Sequence, residues 1–374
     1  AQAATKMTFT NGWSDGYVYC EKKWLSNDIF FLLKDGVTYL WDYRNHVQYQ
    51  ISTSEFERLV SFSSGDFVSD TADDISIDTS GILHEVKPDD EWGWDILSKI
   101  FHIGTSHPNS PTPDKPEMYI EYARSYLDFC KSIHKSEPNI SLIKGGEKTL
   151  LPAPNLSAIK EASLWETLLA RHTCRDFFDA SVSISSLATI LYGTLADKKE
   201  TDYDAPIGAQ KFGFRRTSPS AGGLQATEGY VWVRNVEDLA PGIYHYISEQ
   251  HTLEKVRDLP PEVISTYLCG QHWANNLAFA IFFTSRFDKL WWKYPHSRAY
   301  RPMLLDVGHL SQTANLLITA LGLHPWLTGY FHDKEINELL EVNLPSEQVI
   351  FLVGAGHGTG SSYTTEVRKL LDGI

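Results

Sequence analysis

Arg171-His172-Thr173-Cys174-Arg175, then Ser218-Pro219-Ser220-Ala221-Gly222-Gly223, then Lys293-Tyr294: these three stretches decide how the chain is read. The first supplies two guanidinium groups, whose planar forks match phosphate oxygens. Four residues apart at a helix end, the two arginines share a face and can grip one anion. The second is poor in side-chain bulk, so backbone N–H groups can approach a flat ring closely. The third sets an amine beside a phenol. Burial would lower that amine from about 10.4 into the range of a base, or the ammonium could hold its neighbour as phenolate.

Each stretch also has a plainer reading. Arg171 and Arg175 can pair with Asp176 or Asp179, and the Ser/Gly run can be an ordinary turn before the strand at Glu228–Val231. Lys293 can be solvated, with Tyr294 packed. Gly354-Ala355-Gly356-His357-Gly358 follows the apolar run Val349–Val353 and either wraps a ligand phosphate or ends the last strand before a tail. His309 reads as a core histidine. The Ser/Gly run is not a G-x-G-x-x-G fingerprint, no G-x-S-x-G elbow occurs, and no His/Asp/Glu cluster has metal spacing.

Bulk properties narrow the class. The chain has 374 residues, more than a typical domain, so two domains are expected. Apolar residues make up 42% and the mean hydropathy is −0.26, as in a globular protein. No apolar run is long enough to span a bilayer and no secretory signal pattern opens the chain, so no membrane is expected. Four cysteines, none in a C-x-x-C pair, fit a reducing cytoplasm without disulfides or zinc. A formal charge of −14 argues against nucleic acid as the partner. Residues 1–100 carry eight basic and seventeen acidic side chains, an acidic front end.

Periodicity divides the chain further. Residues 29–51 read as short strands with turns at Asp35-Gly36 and Arg44-Asn45. Thr53 or Ser54 would cap a helix bearing Phe56, Leu59, Val60 and Phe62 on one face. We therefore expect a winged-helix-like module over 1–90, with an acidic loop at Asp70–Asp78. A helical linker region spans 91–150. It holds an amphipathic helix with Trp92, Trp94, Ile96, Leu97, Ile100 and Phe101, an extended Pro-rich stretch at 107–113, and a helix at about 117–134. From 151 to 374 helices (157–171, 183–195, 303–322) alternate with strands (228–235, 242–247, 278–286, 348–354), an α+β body. The helix after Pro302 reads as buried on most faces.

Taken in order, these pieces resemble the nitroreductase superfamily of FMN enzymes and, within it, the SagB-type azoline dehydrogenases that mature thiazole- and oxazole-containing peptides. Arg171–Phe177 is similar to the family's R-x-S-x-R-x-F start, with Thr173 for Ser. Ser218–Gly223 resembles the flavin-facing loop, with Gly223 where simple nitroreductases carry Asn. Pro241-Gly242-Ile243-Tyr244-His245-Tyr246 resembles the PGLYHY string of the branch. Arg298–Pro302 and Gly308–Gln312 resemble its dimer-helix motif, with Thr313 for a common Asn. Lys293-Tyr294 matches the pair to which azoline dehydrogenases owe activity.

The resemblance implies a nitroreductase-like FMN-binding fold: a central mixed sheet flanked by helices, dimeric, with the early module akin to peptide recognition elements. It implies FMN held by Arg171, His172, Thr173, Arg175, Ser218, Pro219, Ser220, Ala221, Gly222, Gln312, Gly354 and Gly356, with no metal. Lys293 and Tyr294 would move the proton as a peptide thiazoline or oxazoline is oxidised, with O₂ accepting the electrons. The implied partners are an azoline-containing precursor peptide, a cyclodehydratase and a second copy of the chain. Two rival readings remain: an NAD(P)H-dependent nitro or quinone reductase, and a non-catalytic peptide-carrying scaffold.

Overall fold

The computed structural model describes residues 23–63, 77, 79–89, 91–106, 115–134, 136–198 and 215–373. The chain separates into two compact units, Ala1–Thr112 and Pro113–Ile374.

The first unit contains β1 (Trp24–Leu25), β2 (Ile29–Lys34), β3 (Val37–Asp42), β4 (Val47–Ile51), α1 (Thr53–Ser63), β5 (Leu83–His84) and α2 (Ile96–Gly104). Strands β2, β3 and β4 form an antiparallel meander, and β1 pairs with β5. The first hairpin turns where expected: Asp35 and Gly36 take left-handed φ of 52° and 76°, the two-residue geometry that suits the strand twist. Helix α1 is capped by Ser52, one residue before the expected cap. Its Oγ accepts the Glu55 N–H at 3.2 Å while Glu55 Oε2 accepts the Ser52 N–H at 2.6 Å, a reciprocal capping box. Leu59 and Phe62 enter a core with Leu40, Ile77 and Ile82, whereas Phe56 and Val60 face outward. Helix α2 starts after the two tryptophans, because the Asp95 side chain accepts the Ser98 N–H. The Pro-rich stretch and most of the acidic loop lie outside the described residues.

The second unit contains α3 (Pro116–His134), β6 (Lys148–Leu150), α4 (Leu156–Glu161), α5 (Leu164–Ala170), α6 (Ile184–Leu195), β7 (Thr227–Val233), β8 (Gly242–Ile247), β9 (Thr252–Arg257), β10 (Phe279–Arg286), α7 (Phe287–Lys293), α8 (Tyr300–Ala320), β11 (His324–Thr328), α9 (Asp333–Leu339), β12 (Glu347–Gly356) and α10 (Thr365–Asp372). Seven strands form one sheet in the order β11-β12-β10-β7-β8-β9-β6. Every neighbouring pair in it is antiparallel, which corrects the expected mixed sheet. The one parallel pairing among the described residues is the isolated bridge Val182–Val236.

Both sheet faces are covered, so the central strands are apolar on both sides rather than alternating. Val231, Val233, Ile281 and Phe283 pack under Leu187, Ile190 and Leu191 of α6 and Val307, Leu310 and Ala314 of α8. The alternate residues Tyr230, Trp232, Ala280 and Phe282 pack on the opposite side with Leu268, Leu277, Trp326 and Ile336. Among the described residues no helix is long and apolar enough to cross a membrane.

Three expectations need correction here. The helix read over 157–171 is two helices, α5 being started anew by Ser163, whose side chain accepts the Glu166 N–H. Helix α8 is not buried on most faces: Leu304 is 42% and Leu305 61% exposed, and His309 is exposed rather than a core residue. After β12 the chain continues into α10 instead of ending as a tail.

Candidate functional site

The Ser218–Gly223 bend is fixed by the long helix α8. Ser218 Oγ lies 2.7 Å from Thr313 Oγ1, so the threonine standing for a common Asn takes up a bend contact. Ser220 Oγ donates to Asp306 Oδ2 at 2.8 Å, and the Ala221 N–H donates to the same carboxylate at 3.0–3.1 Å. Burial pushes Asp306 above the usual carboxylate range, opposed by those two donors. The Gly223 N–H closes a single turn onto Ser220 O. Gly222 and Gly223 then take φ of 60° and 68°, a left-handed pair that glycine enters without a Cβ penalty. The bend is thus a true Gly/Ser turn, with Gly222 exposed at its tip.

Lys293 and Tyr294 meet that tip. Lys293 is the last residue of α7 and Tyr294 its C-cap, with the Tyr294 N–H donating to Leu290 O. Lys293 Nζ donates to Gly222 O at 3.0 Å. A Cβ on Gly222 would stand 2.3 Å from Tyr294 Oη and 2.9 Å from Lys293 Nζ, so the missing side chain is what lets the couple in. Lys293 is buried, at 3% exposure, which removes the solvated reading. Burial pushes its amine down; Cys130 acts against that shift and Arg215 with it. Burial pushes the Tyr294 phenol up, helped by Cys130 and Asp306, so the environment disfavours a phenolate.

The arginine segment is built differently from its expected helix face. Helix α5 stops at Ala170, Arg171 is its C-cap in an extended conformation, and 171–176 carry no helix. Asp176 pairs with Arg368 at 3.1 Å and Asp179 with Arg234 at 2.8 Å, so neither aspartate is taken by Arg171 or Arg175. Arg175 donates from Nη1 to Ser362 O at 2.8 Å and lies over the Trp273 ring. The half-buried Arg171 guanidinium has no ion pair or hydrogen bond among the described residues. His172 is exposed, with Nδ1 2.6 Å from Ala170 O and its ring 5.8 Å from that of His324. Thr173, beside it, is half-buried.

The structure therefore brings Ser218, Pro219, Ser220, Ala221 and Gly222 together with Lys293 and Tyr294. It places Arg171–Arg175 along β11 and the 357–363 stretch, through Cys174 N–H to Pro325 O and Arg175 N–H to Ser361 O. Among the described residues no hydrogen bond joins that segment to the bend. Gln312 is exposed on α8 beside Thr313. Gly354 and Gly356 lie inside β12, where a Cβ would strike Leu277 Cδ1 at 2.4 Å and Phe177 Cδ1 at 3.3 Å.

Sequence reading misses four residues at this place. Asp306 lies between the Arg298–Pro302 and Gly308–Gln312 strings and has no motif partner in sequence. Arg215, just before the bend, sets its guanidinium 2.5 Å from where a Gly223 Cβ would stand. Tyr126 and Cys130 of α3 fall in a stretch that reads only as a linker region. Cys130 is buried with Leu224, Ala226, Leu290 and Met303, in the cluster on which Tyr294 packs.

Residues 168–357 match the model of the nitroreductase family. The chain belongs to that family. A nitroreductase-like protein of Methanocaldococcus jannaschii is 28% identical over 190 residues, half of this chain and 88% of its own. The trifolitoxin-processing protein TfxB of Rhizobium leguminosarum bv. trifolii is 30% identical over 147 residues, 37% of each chain. Among solved structures, a nitroreductase-like protein of Ralstonia eutropha covers 60% of this chain and 95% of its own, at 19% identity and a TM-score of 0.46. The nitroreductase-like fold expected from the resemblance is the fold of the second unit, and membership of the family makes the protein an oxidoreductase.

Proposed function

We propose that this protein is an FMN-dependent, SagB-type azoline dehydrogenase that oxidises thiazolines or oxazolines in a ribosomally made peptide. The observation that carries the reading is the contact of Lys293 Nζ and Tyr294 Oη with the tip of the Ser/Gly bend. The similarity to a trifolitoxin-processing protein supports peptide maturation as the setting.

The residues present fit a flavin mononucleotide. Gly222 stands exposed at the tip of a bend poor in side-chain bulk, open to the approach of a flat ring, and Arg171 holds a half-buried guanidinium with no anion of the described chain on it. FMN supplies the hydride acceptor when bound. Ser218, Ser220 and Ala221 are held by Thr313 and Asp306, so the bend is pre-set rather than shaped by its ligand. Lys293, its charged form disfavoured by burial, is the base that takes the proton from the ring carbon next to the carbonyl. Tyr294, kept a neutral phenol, donates a hydrogen bond that orients the substrate. The azoline thus loses one proton to the chain and one hydride, and gains aromaticity, with O₂ as final acceptor.

Because the arginine segment and the bend make no hydrogen bond to each other among the described residues, a homodimer in which they meet across subunits fits this reading. Leu164, Trp165, Leu169 and Leu305, each more than 60% exposed on α5 and α8, supply the apolar surface. The remaining assignments belong to the same proposal: residues 1–90 as a winged-helix-like peptide-binding module, a cyclodehydratase as partner, and the cytoplasm as location.

Mass spectrometry of a cyclodehydrated precursor incubated with the protein and FMN tests this reading. Each oxidised ring should lose about 2 Da, the mass of two hydrogens. Lys293→Ala and Tyr294→Phe should keep FMN and lose most of that oxidation; unchanged oxidation in both would overturn the assignment. Rapid bleaching of the flavin by NADPH without azoline turnover would instead support a nitro or quinone reductase. A protein that stays colourless after FMN reconstitution would support the scaffold.

A further inference from the structure

One face of the catalytic helix α7 is given over to a segment that lies before the family match. Arg286 Nη1 donates to Asn139 O at 3.3 Å, and Lys289 Nζ donates to Ile140 O at 2.7 Å. Trp292 Nε1 donates to Ile133 O and to Ser136 Oγ, both at 3.2 Å. Positions 286, 289 and 292–293 recur at helical spacing, so these contacts form one stripe along the helix. The stripe ends at Lys293, whose Nζ stands 5.9 Å from the Tyr126 ring centroid and 5.6 Å from that of Tyr294. Below it, Cys130 and Ile133 of α3 pack with Leu290, Trp292 and Tyr294. Tyr126, Cys130, Ile133, Ser136, Asn139 and Ile140 therefore line the helix that ends in the Lys-Tyr couple.

We propose that Tyr126 is a positioning residue for Lys293: its ring, with that of Tyr294, holds the ammonium against the Gly222 carbonyl and stabilises the charged form. The ring face is the agent, since an ammonium is drawn to the negative face of an aromatic ring. Among the described residues, Lys293 is also acted on by the Cys130 thiol of α3 and the Arg215 guanidinium, and the neighbouring Tyr294 phenol by Cys130 and by Asp306 of α8. Of these, Arg215 and burial favour the neutral amine. Tyr126 opposes them, so the lysine can both accept a proton and keep it in place. The Tyr126 hydroxyl plays a separate part. Burial pushes the phenol up to about 12, with the neighbouring Cys130 thiol acting in the same direction. The phenol stays protonated, so Tyr126 acts on Lys293 as a ring and not as an acid.

The functional consequence rests on the reading of Lys293 as the base, but the titration of its amine does not. Trace acetylation of the full-length protein between about pH 6 and 11, with Lys293 followed by peptide mass spectrometry, gives the titration midpoint of its amine without flavin or substrate. Tyr126 is 42% exposed, so it tolerates replacement. Tyr126→Leu should lower the midpoint by about one pH unit, as loss of a partly buried cation–π contact requires. Tyr126→Phe keeps the ring and should stay within about 0.3 units, while Tyr126→Trp should not fall below the parent. An unmoved midpoint in Tyr126→Leu, or a Phe variant that moves as far as the Leu variant, overturns the inference. Midpoints that move as stated while the parent oxidises no azoline would sink the proposed substrate and leave the role of Tyr126 standing.

Discussion

Gly222→Ala should separate stability from activity more cleanly than any other substitution at this site. Two costs follow from the geometry. First, alanine at a φ of 60° enters the left-handed region, which costs an L-residue about 1–2 kcal/mol. Second, the new Cβ would stand 2.3 Å from Tyr294 Oη and 2.9 Å from Lys293 Nζ. Both atoms are the far ends of side chains, so the overlap is relieved by moving them about 1 Å rather than by breaking the fold. Displacements of that size cost about 100-fold in rate when they fall on reacting groups. The melting temperature should therefore drop only roughly 2–8 °C, the range for about 1–2 kcal/mol in a domain of this size, while azoline oxidation falls by about two orders of magnitude. Gly223→Ala is the matched control: its φ is 68°, but its Cβ would meet Arg215 Nη1 at 2.5 Å instead of the couple. It should melt like Gly222→Ala and keep far more activity. Equal activity in the two variants, by the mass-spectrometric assay, would refute the claim that the glycine tip exists to admit Lys293 and Tyr294.

Other perturbations test the rest of the site. Arg171→Ala should weaken FMN binding with little change in melting, because the guanidinium has no ion pair to lose among the described residues. Arg175→Ala should lower the melting temperature instead, through its lost bond to Ser362 O and its stacking on Trp273; fluorescence titration with FMN and a thermal scan read the two apart. Gly354→Ala forces a methyl against Leu277 and should destabilise by about 1–3 kcal/mol, the cost of overpacking, with FMN affinity unchanged. Glu347 is buried and its carboxyl is pushed above 4.5 by burial, against the hydroxyls of Thr284 and Tyr230 that donate to it. A raised acid favours folding below the ordinary carboxyl value, and that advantage fades as pH rises through the folded value. Glu347→Gln, keeping an acceptor for both hydroxyls, should remove this part of the slope in a series of thermal scans across acidic pH.

The fold is readable in the sequence where a local pattern decides the outcome. Asp35-Gly36 forces a hairpin because two successive left-handed residues admit little else. The buried strands β7 and β10 show as continuous apolar runs because layers cover them on both sides. Reading fails where a side chain a few residues away moves a boundary. Ser163 restarts a helix that periodicity alone would carry through to Arg171, and with it goes the argument that the two arginines share a helical face. The expected mixed sheet came from the resemblance, not the residues, since strand direction depends on connections and not on composition.

At the site, the sequence marks the groups with their own chemical signature and is silent about those that gain one only by contact. A lysine beside a tyrosine, or two glycines after a serine, are conspicuous in any chain. Asp306 is an ordinary helix residue until burial leaves it with two donors from the bend. Tyr126 lies 167 positions before Lys293 in the sequence numbering, on a helix whose surface is otherwise largely exposed, and no spacing rule reaches that far. The same holds for the proposed function: the Lys-Tyr pair suggests proton transfer, and its burial against Gly222 is what favours the lysine as acceptor and the tyrosine as neutral donor. A lowered amine and a raised phenol are opposite shifts with one cause, desolvation, acting on groups of opposite charge type. One environment thus separates the proton affinities of two adjacent residues in the directions that the proposed base and the proposed donor require.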